Sequence, residues 1–323
     1  MDTEETLTRP ASQAASHIGV ALSHNLLRAT LLDASGTSQT QREMLLERDT
    51  TALVPQIAEL TRSLQSEAAL SSSPISGLGI GVPGLVNPTT KSIEISSDLP
   101  ALVGYDLHGE LARAIGLPVT LTNDANAAAY AEYTIGAGQN SRSLFYALIG
   151  NGIGGALIID GRPWFGVSGF AGEFGYMAVD AEGDVLESVA SAPNIVRRTR
   201  ERLARDSTSS LSKLALNRNF TAADIAHEAR EGDDFALLMI ERTGRYIGVA
   251  IASVINLLNI ERIVLGGAVM DAGNLILDPI IREAKRRSFQ PCFDATQITL
   301  ATLGNDAVAL GAGLLARNAS SQT

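Results

Sequence analysis

Short continuous apolar runs alternate along the chain with longer segments whose apolar residues recur at helical spacing, a pattern that predicts an α/β protein. IGVAL (18–22), LRATLLD (27–33), ISGLGIGV (75–82), VTLT (119–122), SLFYALIG (143–150), GGALIID (154–160), ERIVLGG (261–267) and QITLATLG (297–304) read as strands. Helical periodicity covers 53–68, 106–116, 126–136 with Gly136 as its C-cap, 233–259 and 307–317. Residues 1–16 and the closing NASSQT are polar and small, with too little apolar surface to order themselves, and read as tails.

The two halves echo each other. Laying Arg28–Asp33 over Gly155–Asp160 puts the turn Ser23-His24-Asn25 on Gly150-Asn151-Gly152, so each half holds a strand, a tight turn, a second strand and an Asp at its end. Two domains of related fold facing each other across a cleft are therefore expected, against the plainer reading of two unrelated hairpins. A length of 323 residues with 45% hydrophobic content can fill two cores.

Charge and cysteine usage narrow the functional classes. A formal net charge of −10, with no long Lys/Arg run, argues against a nucleic-acid partner. The single cysteine, Cys292, excludes an intrachain disulfide and a cysteine-based zinc cluster, and is expected as a small buried core side chain. The polar start has no signal-peptide core and no stretch reaches membrane-span length, so the chain reads as soluble and cytoplasmic.

Four segments carry candidate chemistry. FYALIGNGIGGALIIDG has glycine at 150, 152, 154 and 155, where bare backbone N–H groups can converge on phosphate oxygens; no Gly-Lys-Ser/Thr follows, so it is not a Walker A loop. ERIVLGGAVMDAGNLI runs a strand into Gly266-Gly267 and then a helix, which suits close approach to a nucleotide and equally a plain tight turn. VTLTNDANAAAYAEYTIGAG places Asn123, Asp124 and Asn126 between a strand and a helix; capping explains one of them, and a carboxylate at a strand end beside a cleft suits a general base on a substrate hydroxyl. FAGEFGYMAVDAEGDVLESVAS carries Glu173 and Glu187, whose carboxylates suit sugar hydroxyls, with GLGIGVPGLVNP (including Gly84) and Asp98 adding to such a pocket.

In this order, GVPGLVNP, TNDANAAAYAE followed by GAG, IGNGIGGALIIDG, GFAGEFGYM, VLGGAVMDAG and LGNDAVALGAGLLA resemble the ROK family of sugar kinases and sugar-responsive repressors, within the actin-like ATPase superfamily. The resemblance runs from about residue 18 to 317. It implies an α/β fold of two actin-like (ribonuclease H-like) ATPase domains around a central cleft. One would span 17–121, completed by a C-terminal helix at 306–318, and the other 122–305. It implies Asp124 as catalytic base, and Gly84, Asp98, Asn123, Glu173, Tyr176 and Glu187 around the sugar. Ser23, His24, Asn25, Gly150, Asn151, Gly152, Gly154, Gly266 and Gly267 would meet the nucleotide. ATP and Mg²⁺ would be the cofactors, a small-molecule sugar the partner, and a homodimer the assembly.

Several positions depart from the family's kinase pattern. The Asp-x-Gly-Gly-Thr hairpin becomes Ala21, Leu22, Ser23, His24 and Asn25, without its carboxylate or glycines. Asn151 replaces a Thr, Asp98 an Asn, and Tyr176 a zinc-ligating His whose cysteine-rich loop is missing, so no structural zinc is expected. Two functions follow: an ATP-dependent kinase of a hexose or amino sugar, and a silent sugar-binding regulator. The polar lead-in is too short for the helix-turn-helix of the family's repressors, so DNA binding is not expected.

Overall fold

The computed structural model describes residues 15–23, 25–47, 49–70, 73–203 and 208–320. The first half comprises β1 (Ser16–Leu22), β2 (Leu26–Leu32), β3 (Ser38–Leu45), α1 (Thr50–Leu70), β4 (Ile75–Val82), β5 (Leu85–Val86), β6 (Ile93–Ile95), α2 (Leu107–Ile115), β7 (Val119–Asn123) and α3 (Asp124–Ile135). The second comprises β8 (Ser143–Ile149), β9 (Ile153–Ile159), β10 (Arg162–Pro163), α4 (Leu186–Ala190), α5 (Ala192–Leu203), α6 (Ser210–Asn217), α7 (Ala222–Arg230) and α8 (Asp234–Leu258). It continues with β11 (Arg262–Gly266), α9 (Asn274–Arg287), α10 (Gln290–Asp294), β12 (Gln297–Leu300) and α11 (Ala307–Ser320).

The echo between the halves is topological. The first sheet is ordered β3-β2-β1-β4-β7 and the second β10-β9-β8-β11-β12. In each, an antiparallel hairpin (β1/β2, β8/β9) is extended on one side by parallel strands (β4 and β7, β11 and β12). Buried strands of this kind read as near-continuous apolar runs, which is why their sequences stood out. β3 did not, because SQTQREML is an edge strand exposed along most of its length, with no apolar face to alternate.

α3 and α11 lie against each other between the sheets, α3 packing on β8 and β9 and α11 on β1, β2 and β4. α11 meets β1, β4 and α3 backbone to backbone. A Cβ at Gly19 or Gly79 would fall 1.9 Å from the carbonyl oxygens of Ala309 or Ala312, and one at Gly311 would fall 1.7 Å from that of Ala127. The small residues of GLGIGV and AVALGAGLLA therefore set the spacing of the molecule's centre.

Three expectations need correction. The run 297–304 stops being a strand at Leu300: Ala301 N still donates to Leu265 O at 2.8 Å, but the N–H groups of Thr302 and Leu303 turn to the buried Glu132 carboxylate at 2.9 and 2.8 Å. Cys292 is partly exposed at the rim of the second core, since α10 lies along its outside. The closing tail is helical as far as Ser320, and Ser16 already belongs to β1; residues 1–14 and 321–323 lie outside the described residues.

Candidate functional site

Parallel pairing brings the C-terminal ends of β1, β4 and β7 to one edge of the first sheet, with Ala21 beside Gly81, and Gly81 and Val82 beside Thr122 and Asn123. The chain leaves that edge at Ser23, at Pro83-Gly84 and at Asp124. In the second sheet the ends of β8 and β11 coincide, Leu148 pairing with Gly266, so the turn 150–152 and Gly266-Gly267 share an edge. Most of the expected site residues therefore sit at strand ends, where an α/β sheet presents its ligands.

Asp124 opens α3 directly from β7. Asn123 is the N-cap: its Oδ1 accepts from Asn126 N at 3.1 Å, while its Nδ2 donates to Gly84 O at 2.8 Å and to Asp124 Oδ1 at 2.9 Å. Ala125 N also donates to Asp124 Oδ1, at 2.8 Å. Both bonds fall on Oδ1, leaving Oδ2 for a substrate. Burial raises the Asp124 pKa to about 6 against these stabilising bonds, and the Asp98 carboxylate adds to the rise. Asn123 is thus committed to bracing Asp124 and Gly84, a bond pattern its neighbours in the sequence gave no sign of.

Asp98 reaches the same edge through Ser96, which sequence reasoning missed. Ser96 Oγ donates to Pro83 O at 2.6 Å and accepts from Leu99 N at 3.0 Å, so the loop bearing Asp98 is tied to the loop bearing Gly84. Gly84 has φ +140°, and a Cβ there would lie 2.4 Å from Ile95 O, so only glycine lets these loops approach. The one available signal was a serine just ahead of Asp98-Leu99-Pro100, a spacing that suits a side chain closing a turn.

The second hairpin meets α3 at Gly154, where an added Cβ would lie 3.3 Å from Ala125 Cβ, next to Asp124. Glu187, in the first turn of α4, accepts from Ile153 N through Oε2 at 2.7 Å and holds the hairpin from the other side. Glu173 lies within electrostatic reach: partial loss of water and then the Glu187 carboxylate raise its pKa. At Gly150 an added Cβ would meet nothing within 4 Å, and Asn151 and Gly152 are exposed, so the turn is open to a ligand. Gly267, at φ +94°, backs onto Ile149 O.

Other expected residues sit more loosely. Tyr176 is 74% exposed, its side chain directed outward from the turn 174–176. Ser23 and Asn25 are exposed, and Ser23 N and Oγ both bond Leu26 O, closing the first turn on itself. His24 lies outside the described residues.

The model of the ROK family matches residues 17–319. A glucokinase of Halalkalibacterium halodurans is 32% identical, covering 93% of this chain and 94% of its own. A xylose repressor of Bacillus spizizenii is 28% identical, covering 93% of this chain and 76% of its own. In three dimensions the chain resembles a ROK family glucokinase from Streptomyces griseus, solved in complex with glucose and AMPPNP. The TM-score is 0.81 at 26% identity, covering 94% of this chain and all of that one. With its paired sheets, the helices between them and this similarity along nearly its whole length, the chain belongs to the ROK family.

Proposed function

We propose that the protein is an ATP-dependent, Mg²⁺-dependent kinase that phosphorylates a hexose or amino sugar, with Asp124 as the base. The observation that carries this reading is the setting of Asp124: a carboxylate of raised pKa, braced on Oδ1 by Asn123 and Ala125, one residue from the contact with the Gly150–Gly155 hairpin. ATP supplies the electrophilic γ-phosphorus and ADP as leaving group. Asp124 Oδ2 accepts the hydroxyl proton as the sugar oxygen attacks, and a carboxylate pushed to about 6 is a stronger base than an ordinary one while still ionised at neutral pH. Asp98, Glu173 and Glu187 accept from the other hydroxyls and fix the sugar, so the attacking oxygen is held in line.

The fit to a nucleotide rests on the second hairpin, whose turn leaves open space over Gly150 and keeps Asn151 and Gly152 exposed, while the Gly150 N–H itself is bonded to Gly152 O at 2.9 Å. Mg²⁺ that travels with ATP draws most of its ligands from phosphate and water, so a dedicated cage is not needed. Among the described residues no group of three or more His, Cys, Asp or Glu side chains is arranged to hold a metal, and no helix is long and apolar enough to cross a membrane. A cytoplasmic location and a homodimer belong to this reading.

A second reading, a sugar-binding regulator with little turnover, is favoured by the first hairpin. Ala21 supplies no carboxylate, and Ser23 is already bonded to Leu26. ADP release across a panel of glucose, mannose, fructose and their 2-amino and N-acetylamino forms separates the two. Sugar-dependent release supports the kinase; sugar-induced thermal stabilisation without release replaces it with the regulator.

A further inference from the structure

Helix α4, which carries Glu187, is five residues long, too short to hold itself by its own hydrogen bonds. A helix of one turn leaves nearly all its carbonyls to outside donors. Side chains of α5 supply them. Asn194 Nδ2 donates to Glu187 O at 3.0 Å, Arg197 Nη2 to Ser188 O at 3.2 Å, and Arg198 Nη1 to Val189 O.

Arg198 is the unusual member of the three. It is 7% exposed, and its Nη2 is buried with no hydrogen-bond partner. Among the described residues no carboxylate pairs with it. Its other contacts are on α8: Thr243 Oγ1 at 3.4 Å, and the Tyr246 ring, whose centroid lies 5.0 Å from Cζ. Taking a guanidinium out of water without a counter-charge is costly, and a hydroxyl and a ring face do not offset that loss. An apolar side chain of similar size would pack here at less cost. What the guanidinium alone provides is a fixed Val189 carbonyl at the end of α4.

The segment leading from α4 into α5 grips the expected nucleotide turn at both ends. Glu187 Oε2 accepts from Ile153 N at 2.7 Å, and Ala192 N donates to Gly150 O at 2.8 Å. No hydrogen bond from a described residue falls on Glu187 Oε1, which is left for a sugar hydroxyl. One carboxylate thus joins the sugar side of the cleft to the turn on its nucleotide side.

We propose that Arg198 is a positioning residue: by fixing Val189 O it holds residues 187–192 as a clasp on the turn 150–153, and through that clasp sugar and nucleotide tighten each other's binding. The proposal rests on the sugar-kinase reading for its two ligands, while the clasp itself is tested on the free protein.

Arg198→Met keeps the length and the apolar packing but removes the bond to Val189. Amide hydrogen exchange of the free full chain is expected to run at least about tenfold faster in the variant at Ile153 and Ala192, with the β1–β2 hairpin unchanged. Mg²⁺ with AMPPNP is then titrated calorimetrically, with and without excess glucose. Glucose is expected to tighten AMPPNP binding at least about fivefold in the wild type and by a factor close to one in the variant. Ala192→Pro reads the same clasp should Arg198→Met fail to fold. It removes the N–H that meets Gly150 O, at the first position of a helix and after an extended Ser191 (φ −69°, ψ 153°), a setting that suits proline. The same loss of coupling is expected from it.

Exchange that is unchanged at Ile153 and Ala192, or faster by one factor across the whole chain, overturns the proposal. So does AMPPNP binding that glucose does not alter in the wild type. Local acceleration in the variant and coupling in the wild type, without ADP release from ATP, sustain the proposal and remove the kinase. Glucose-dependent ADP release from a protein whose turn exchanges identically with and without Arg198 does the reverse.

Discussion

Asn123 donates its side-chain amide to Asp124 Oδ1 at 2.9 Å while its own carbonyl caps the helix that Asp124 begins. One side chain therefore fixes both the start of α3 and the orientation of the carboxylate. Asn123→Asp keeps a cap acceptor but replaces the amide donor with a second charge, which raises the Asp124 pKa further. The acid limb of sugar-dependent turnover is expected to move up by about one pH unit, read from initial rates across a pH series.

Asp124 is also a stability cost at neutral pH. Its folded pKa, about 6, lies above the ordinary 3.8, so the favourable protonated form is fully present below the ordinary value and lost as pH rises through about 6. Asp124→Asn is expected to stabilise the fold by about 1–3 kcal/mol at pH 7, the lower end reflecting partial exposure, with the difference narrowing by about pH 5. Urea unfolding at the two pH values reads this directly.

Glu132 holds the fold together through hydrogen bonds. Fully buried, it accepts from Ala137 N, Thr302 N, Leu303 N and Thr302 Oγ1, tying the end of α3 to the entry into α11. Glu132→Ala leaves three buried backbone donors unpaired and is expected to cost about 3 kcal/mol or more. Glu132→Gln should cost less, because its carbonyl can keep the Thr302 and Leu303 bonds while Ala137 N loses its acceptor. Denaturant midpoints rank the pair.

Two glycines separate packing from ligand approach. A methyl at Gly311 runs into Ala127 O, so Gly311→Ala is expected to force α11 away from α3 and lose about 3 kcal/mol or more. At Gly150 the methyl meets nothing in the chain, so Gly150→Ala should leave stability within about 0.5 kcal/mol while raising the KM for ATP roughly tenfold. Melting curves and nucleotide titrations give both readings.

What the sequence disclosed followed from how each element is buried. Strands enclosed on both faces write continuous apolar runs, and the α3 start showed itself as three polar residues in an otherwise small, apolar context. β3 stayed hidden because an edge strand needs no apolar face. Helices α4 to α7 were missed because their apolar stripes are interrupted by Arg, Ser and Asp that serve caps and salt links, as in the Thr221–Asp224 capping box of α7. At the site, residue types pointed to Asp124 and the glycines, but the bonds that set their behaviour join distant segments: Asn123 with Gly84, Glu187 with Ile153, Ser96 with Pro83. Spacing along the chain carries no information about such pairs.

The central claim is that Asp124 takes the proton of the sugar hydroxyl, and the pH dependence of sugar-dependent ADP release, with Asp124→Asn alongside, tests it most directly. The account predicts a rate that falls below about pH 6, where Asp124 becomes protonated, and a variant slower by at least about a hundredfold across the range. A rate that stays level to about pH 4.5, or a variant that retains comparable turnover, would contradict it.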